Sequence, residues 1–319
     1  MTAEALLDDV QNRHLRTDTA DVGGNFITNC DEENPLISVV IPHYNDLGNL
    51  DRCLTDLAGQ TVPATRYELI VADNNSSCGL SAVQERCGNR ARAIAAPIQG
   101  AGAARNAGVA VARGRFLAFT DSDCRPAPDW LAQGLAALAC HDLCGGRVDV
   151  STGDTARLTP VEAFELVFAF NNKHYVIDKG FSVTANLFVS RKTFDAVGSF
   201  RDAVSEDLDW CLRAKAQGFA IGYTAEAAVA HPARRTWNEL TRKWRRLVRE
   251  AYALAREQRF GRLRWFLRSW LVLVSPLAHS VTIMQSPRLH SNGNRFAALG
   301  ILFRLRAWRF AESCRVMVE

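Results

Sequence analysis

The sequence predicts an α/β protein built on an open sheet, and three observations lead there. Short β-branched or apolar runs, Ile37 to Ile41, Tyr67 to Ala72 and Phe116 to Phe119, alternate with stretches of helical periodicity. Each run stops abruptly at polar residues, and acids stand just past two of the ends: Asp73 after the second, Asp121 and Asp123 after the third. Charge then divides the 319-residue chain near His231. Residues 1–231 carry 20 Lys and Arg against 29 Asp and Glu, whereas residues 232–319 carry 18 against 5. Strand and helix in alternation give an open α/β sheet. Ligands of such sheets bind in the crevice beyond the carboxyl ends of the strands, where these polar groups collect.

The first strand closes on Pro42-His43-Tyr44-Asn45-Asp46, and Leu50, Cys53, Leu54 and Leu57 then recur at helical spacing. The second closes on Asp73-Asn74-Asn75-Ser76-Ser77. Gly100-Ala101-Gly102-Ala103-Ala104-Arg105-Asn106-Ala107-Gly108 follows. Such a Gly-rich helix start with a cation suits close approach to a diphosphate, and by itself it fits a tightly packed turn equally well. The third strand closes on Thr120-Asp121-Ser122-Asp123. Two acids spaced i, i+2 can hold a divalent cation that keeps positions open for phosphate oxygens. Alone they also fit a solvated turn. A purely structural reading explains each turn separately but not their clustering at one end of the sheet.

Ser38-Val39-Val40-Ile41-Pro42-x-Tyr44-Asn45, Val71-Ala72-Asp73-Asn74-x-Ser76, Gly102-x-x-x-Arg105-Asn106-x-Gly108 and Phe119-Thr120-Asp121-Ser122-Asp123 together resemble the family 2 glycosyltransferases of the GT-A fold. Gly198-Ser199-Phe200-Arg201 followed by Ser205-Glu206-Asp207-Leu208-Asp209-Trp210-x-Leu212-Arg213 is similar to that family's acceptor-side signature. The resemblance covers residues 36–231. It implies that Asp73 hydrogen-bonds a nucleotide base, usually uracil, above a floor of Pro42 and Tyr44. Asn45, Asn75, Gly102 and Ser122 join the same nucleotide-binding set, and Arg105 faces the nucleotide. Asp121 and Asp123 serve ribose and a divalent metal, Mn²⁺ or Mg²⁺, with Asp123 the principal ligand. His231 resembles a third metal or diphosphate contact; the bland alternative is an ordinary loop histidine. His43 departs from the family, which usually has a small residue there, at the floor of the nucleotide pocket.

Direct displacement at an anomeric carbon needs a base for the acceptor hydroxyl proton. By the family match Asp207 is that base and Glu206 orients it or the acceptor, and a single displacement inverts the anomeric centre. Without that context, two acids here are simply an acid-rich helix N-terminus. Asn186, at the polar start of the run Thr184 to Val189, is placed to touch donor sugar or acceptor. Trp210 either stacks on a sugar ring or belongs to the core. The stretch Thr159 to Tyr175 reads as helical, and either lines the acceptor site or is core.

The nine cysteines show no Cys-x-x-Cys pair, so reduced thiols are expected rather than a metal knot or disulfide framework. Residues 1–35 are polar and acidic without an apolar signal segment, and read as a flexible arm before a catalytic domain over 36–231. The remainder, 232–319, reads as a basic helical extension. Trp237, Leu240, Trp244, Leu247, Val248, Ala251 and Ala255 share one helical face, with arginines opposite. A basic amphipathic helix of this kind suits an anionic membrane surface. Ser269 to Met284 is uncharged but interrupted by Pro276 and shorter than the ~20 apolar residues of a bilayer span, so it reads as a shallow or re-entrant anchor. The other tail readings are a soluble helical lid and, weakest, a nucleic-acid contact: no recognition fold accompanies the charge. The expected protein is thus a metal-dependent transferase using a nucleotide-sugar donor, with a lipid-linked or saccharide acceptor and no nucleic-acid partner. It would sit in the cytoplasm, peripheral on the inner face of the cell membrane. A sugar-phosphate nucleotidyltransferase shares the nucleotide and metal requirements but leaves Glu206-Asp207 unexplained. A non-catalytic nucleotide-sugar-binding protein would not need the intact acids.

Overall fold

A computed structural model describes residues 34–154, 157–202 and 204–319; the arm expected over residues 1–35 lies outside these up to residue 33. The chain forms two compact units. Among the described residues the first comprises 34–149, 172–202 and 206–230, and the second 150–154, 157–171, 204–205 and 231–319.

In the first unit the chain runs through β1 (Ile37–His43), α1 (Leu47–Ala58), β2 (Tyr67–Asp73), α2 (Gly79–Cys87), β3 (Arg92–Ala95), α3 (Ala101–Val111) and β4 (Phe116–Phe119). After β5 (Arg125–Pro126) come α4 (Trp130–Leu138) and β6 (Leu143–Ser151); α5 (Pro160–Phe168) then falls in the second unit. The chain returns with β7 (Leu187–Ser190), α6 (Arg191–Val197), α7 (Glu206–Ala216) and β8 (Ile221–Pro232). The sheet order is β3-β2-β1-β4-β7-β6-β8-β5. β1 pairs in parallel with both β2 and β4, whereas β7 is antiparallel to β4 and to β6. The strand order reverses direction between β1 and β4, and a crevice opens at such a switch point. The carboxyl ends of β1, β2 and β4 therefore face one cleft region, although they lie far apart in sequence.

Local sequence explains these elements. Leu50, Cys53, Leu54 and Leu57 are all fully buried, the single face that their spacing predicts. Each buried leucine contributes roughly 1.5–3 kcal/mol relative to exposure. In α3, a side-chain carbon on Gly108 would stand 2.4 Å from Val40 Cγ1, so glycine here lets the helix lie directly on β1. Gly100, which caps α3, has φ 140°, a conformation that a side chain strains. Phe119, Phe194, Phe200 and Trp210 form an aromatic core beneath β4 and β7.

The second unit is helical: α5, α8 (Trp237–Arg256), α9 (Gly261–Val274), α10 (Pro276–Met284) and α11 (Asn292–Val318). Capping boxes start α5 (Thr159 with Glu162) and α8 (Thr236 with Glu239). Val161 and Phe164 of α5 pack with Leu240 of α8 and Ala298, Leu302 and Leu305 of α11, which assigns the Thr159 to Tyr175 stretch at α5 to a core. This packing also corrects the expectation for α8. Its apolar face is buried inside the unit: Leu240, Val248 and Tyr252 are at most 5% exposed. Arg304 and Arg309 cover Trp237 and Trp244, with guanidinium carbons 4.0 and 3.8 Å from the ring centroids. The face read as membrane-seeking is internal because α11, some sixty residues later, supplies its partner. Buried Glu165 receives Arg234 and Lys243 at 3.2 and 3.3 Å. No single described helix is long and apolar enough to cross a membrane, but α9 and α10, bent by 44° at their junction, satisfy length and composition together.

Candidate active site

The site is assembled from strand ends. Register places His43 opposite Asp73, the last residues of neighbouring parallel strands. His43 Nδ1 lies 3.1 Å from Asp73 Oδ1, and His43 Nε2 accepts the backbone N–H of Asp46 at 3.2 Å. The second Asp73 oxygen accepts the Ser76 N–H at 3.3 Å. Asn45 and Asn75 both adopt positive φ, at 54° and 62°, which Asn tolerates better than most residues. Asn45 Oδ1 accepts from the Ser77 N–H and hydroxyl at 2.7 and 2.9 Å, tying the loop after β1 to the loop after β2. Asn75 donates to the Pro97 carbonyl. Tyr44 is 53% exposed beside the half-buried Pro42, an open aromatic surface at this end of the sheet.

Two residues that the sequence reading left without a role organise this end. One is His43. The other is Asn74, whose Nδ2 donates to the Ala96 and Ile98 carbonyls and whose Oδ1 accepts the Gly100 N–H at 2.7 Å. Asn74 thereby joins the end of β2 to the start of α3. Its neighbour Asp73 drew attention by its charge; a neutral amide that bonds only to backbone leaves no comparable signal.

Arg105 is the electrostatic centre. Its side chain is 3% exposed, and it donates from Nη2 to Asp121 Oδ1 at 2.6 Å and from Nη1 to Glu206 Oε1 at 2.9 Å. Burial works to depress the guanidinium pKa, but Asp121 and Glu206 overcome it and hold the pKa above its ordinary value. Arg105 therefore joins the acid after β4 to the acids opening α7. Gly102 lies inside α3, where an added side-chain carbon would sit 3.4 Å from Glu206 Cβ and from Phe200 Cβ. Its role in the structure is close packing against that same acidic segment.

Asp121, Ser122 and Asp123 form the half-buried turn after β4. Pairing of β5 with β8 sets Arg125 opposite Ala230, so the end of β8 runs beside this turn. One ligand atom each from Asp121, Asp123 and His231 then falls within 4.8 Å of the others. Two carboxylate oxygens and an imidazole nitrogen suit Mn²⁺ better than Mg²⁺, which favours oxygen ligands alone. His231 Nδ1 donates to the Pro232 carbonyl at 2.9 Å, which leaves the ring's lone pair on Nε2. The Phe170 ring packs on the His231 ring at 4.6 Å and adopts φ 39°, a strained value for a bulky residue.

Glu206 and Asp207 open α7, and the Asp207 carboxylate accepts the Leu208 N–H at 2.7 Å. On the sugar side the structure selects the core reading for Trp210 and corrects the expectation for Asn186. Trp210 is fully buried, stacks on Phe194 at 5.6 Å and donates its indole N–H to the Gly198 carbonyl. No face remains for a sugar. Asn186 is also fully buried; it accepts from Trp130 Nε1 and donates to the Arg147 and Ala227 carbonyls. These are structural hydrogen bonds that pin β6 and β8 beside the start of β7. All eight described cysteines are unbridged thiols.

A mixed sheet with a strand-order reversal and a metal-competent acid cluster at its carboxyl edge is the architecture of the GT-A fold. Solved structures share this architecture. The mannosyltransferase PcManGT from Pyrobaculum calidifontis, in complex with GDP-Man and Mn²⁺, matches with TM-score 0.57 at 18% identity over 99% of this chain and 96% of that one. S. aureus TarS 1–349 in complex with UDP matches with TM-score 0.50 at 18% identity over 88% of each chain. The family model for glycosyl transferase family 2 matches residues 38–201, and the chain belongs to that family. Among relatives, glycosyltransferase AglE of Haloferax volcanii is 32% identical over 219 residues, 66% of this chain and 70% of AglE. The putative glycosyltransferase EpsH of Bacillus subtilis is 35% identical over 106 residues, 32% of this chain and 30% of EpsH. The protein is thus a transferase of glycosyl groups.

Proposed function

We propose that this protein is an inverting, metal-dependent hexosyltransferase that moves a sugar from a UDP-sugar to a lipid-linked or polysaccharide acceptor at the cytoplasmic membrane face. The observation that carries the reading is Arg105, which couples the Asp121–Asp123 turn to the Glu206–Asp207 pair through two short ion pairs. Donor-side and acceptor-side acids thereby share one fixed framework. Asp121, Asp123 and His231 would hold the divalent ion, which when bound offsets charge on the departing diphosphate. Asp73 meets the base and Tyr44 underlies it. Asp207 takes the proton from the acceptor hydroxyl as that oxygen attacks the anomeric carbon opposite the leaving diphosphate. Arg105 holds Glu206 in a fixed orientation beside that base. The complexes of PcManGT with GDP-Man and Mn²⁺ and of TarS with UDP support a nucleotide donor and a metal.

The membrane reading now rests on α9 and α10. Leu267, Trp270, Leu271, Val274, Leu277 and Val281 are each 48–74% exposed, and residues 269–287 carry no charge. Exposed Arg256, Arg259, Arg262 and Arg264 stand immediately before them. An apolar bend behind a cationic collar complements an anionic lipid surface, where the acceptor would reside.

The test is nucleoside diphosphate release from a panel of UDP- and GDP-sugars, with Mn²⁺, Mg²⁺ or chelator, and with membrane lipid extract as acceptor. Metal-dependent UDP release increased by extract, and abolished in Asp123→Ala, is expected. Pyrophosphate exchange instead would indicate a nucleotidyltransferase, and release independent of metal would overturn the assignment of the acid cluster.

A further inference from the structure

We propose that His43 is a positioning residue for base selection: it clamps Asp73 as a pure hydrogen-bond acceptor, so that the site takes a nucleoside diphosphate whose base carries a ring N–H flanked by carbonyl, as uracil does. The inference rests on the reading of Asp73 as the base contact given above.

The geometry fixes the histidine tautomer. His43 is 1% exposed, and its two ring nitrogens face different partners. Nε2 lies 3.2 Å from the backbone nitrogen of Asp46, a group that can only donate. Nε2 must therefore offer its lone pair, and the ring proton resides on Nδ1. Nδ1–H donates to Asp73 Oδ1 at 3.1 Å, with the Ser76 hydroxyl oxygen 3.3 Å from the same nitrogen. That hydroxyl in turn accepts the Asn45 N–H at 2.9 Å. The Ser76 N–H meets the other Asp73 oxygen. Each carboxylate oxygen is thus held by one internal donor. About four lone-pair sites exist on a carboxylate, so acceptor capacity remains in a fixed plane at the carboxyl edge of β2.

An acceptor held this way distinguishes bases by one atom. Uracil presents a donor at ring position 3, whereas cytosine presents a lone pair there, which the carboxylate repels. A site that expects a donor rejects the analogue lacking it, because its own buried group is left unpaired. A carboxylate free to rotate would relax that rejection by turning away, and His43 prevents the rotation. The parallel register that sets residue 43 beside residue 73 makes the clamp possible.

Two substitutions separate the functions of the two nitrogens. In His43→Asn the amide nitrogen falls near the Nδ1 position and keeps the donor to Asp73. In His43→Gln the amide oxygen falls near the Nε2 position, keeping the acceptor for Asp46 and losing the donor. Calorimetric affinities for UDP and CDP, with Mn²⁺, are compared in wild type, both His43 variants and Asp73→Asn. Wild type is expected to prefer UDP. His43→Gln should weaken UDP binding about tenfold, as expected for losing a hydrogen bond to a charged group, while CDP binding holds. His43→Asn should retain the preference. General structural damage would lower both affinities together and leave their ratio intact. An unchanged UDP:CDP ratio in His43→Gln, when Asp73→Asn collapses it, overturns the role of His43 and leaves the base contact standing. An unchanged ratio in Asp73→Asn overturns the base contact itself. If the His43 variants do not fold, histidine ¹⁵N NMR of the wild-type protein decides: a buried ring protonated on Nδ1 supports the clamp, and one protonated on Nε2 overturns it.

Discussion

Replacing Arg105 with methionine keeps most of the side-chain volume but removes the guanidinium that joins Asp121 to Glu206. Charge-assisted hydrogen bonds contribute about 1.5–3 kcal/mol each, and stripping one partner from a buried pair costs roughly 3–5 kcal/mol. The Glu206 side chain is 16% exposed and its loss counts nearly in full, whereas Asp121, at 31%, recovers much of its solvation from water. The Arg105 Nε has no hydrogen-bond partner, so the wild-type arrangement carries a small cost that the variant relieves. The net destabilisation expected is about 3 kcal/mol. At about 2–4 °C per kcal/mol for a body of this size, the melting temperature should fall by about 6–12 °C. Arg105→Lys keeps a charge that reaches one carboxylate at a time and should lose about half as much. Differential scanning calorimetry of the three proteins measures this, with nucleoside diphosphate release recorded in parallel. An Arg105→Met protein that melts like wild type and turns over normally would refute the idea that this guanidinium holds the two acid groups together.

Asp207→Asn should abolish sugar transfer while donor binding stays nearly intact, since only the proton acceptor is lost; wild-type turnover would remove Asp207 from that role. Leu271→Asp and Leu277→Asp, both at exposed positions, should each reduce sedimentation with anionic vesicles several-fold, and vesicle binding equal to wild type would exclude the α9–α10 face as the docking surface. Lys243 is pushed down to about 8 by burial, with Glu165 opposing the shift. The folded state therefore binds fewer protons here than the unfolded chain between pH 8 and the ordinary lysine value. Unfolding free energy of wild type relative to Lys243→Met should accordingly rise across that interval, and a falling or flat difference in urea titrations at graded pH would contradict the shift.

Strands β1, β2 and β4 were legible in the sequence alone, because apolar or β-branched runs closed by polar residues admit few other structures, while β3, β5 and β6 emerged only from the sheet pairing; the sequence also marked the helical face of α1 residue by residue. It also placed Asp73, Asp121 and Asp123 at one edge of the sheet, since strand–helix alternation forces parallel strands whose carboxyl ends coincide. Periodicity identifies an apolar face but not what covers it. The face of α8 was legible as amphipathic, yet only the packing of α5 and α11 assigned it to an interior, and the exposed surface fell to α9 and α10 instead. Trp210 and Asn186 have the right chemistry for sugar contact, and tertiary hydrogen bonds to Gly198, Trp130, Arg147 and Ala227 gave them to the core. His231 met the Asp121–Asp123 turn through the β5–β8 register, and His43 met Asp73 through that of β1 and β2. Strand composition sets which residues can be strands; which residue stands opposite which is decided by long-range pairing, and at this site the pairing creates the chemistry.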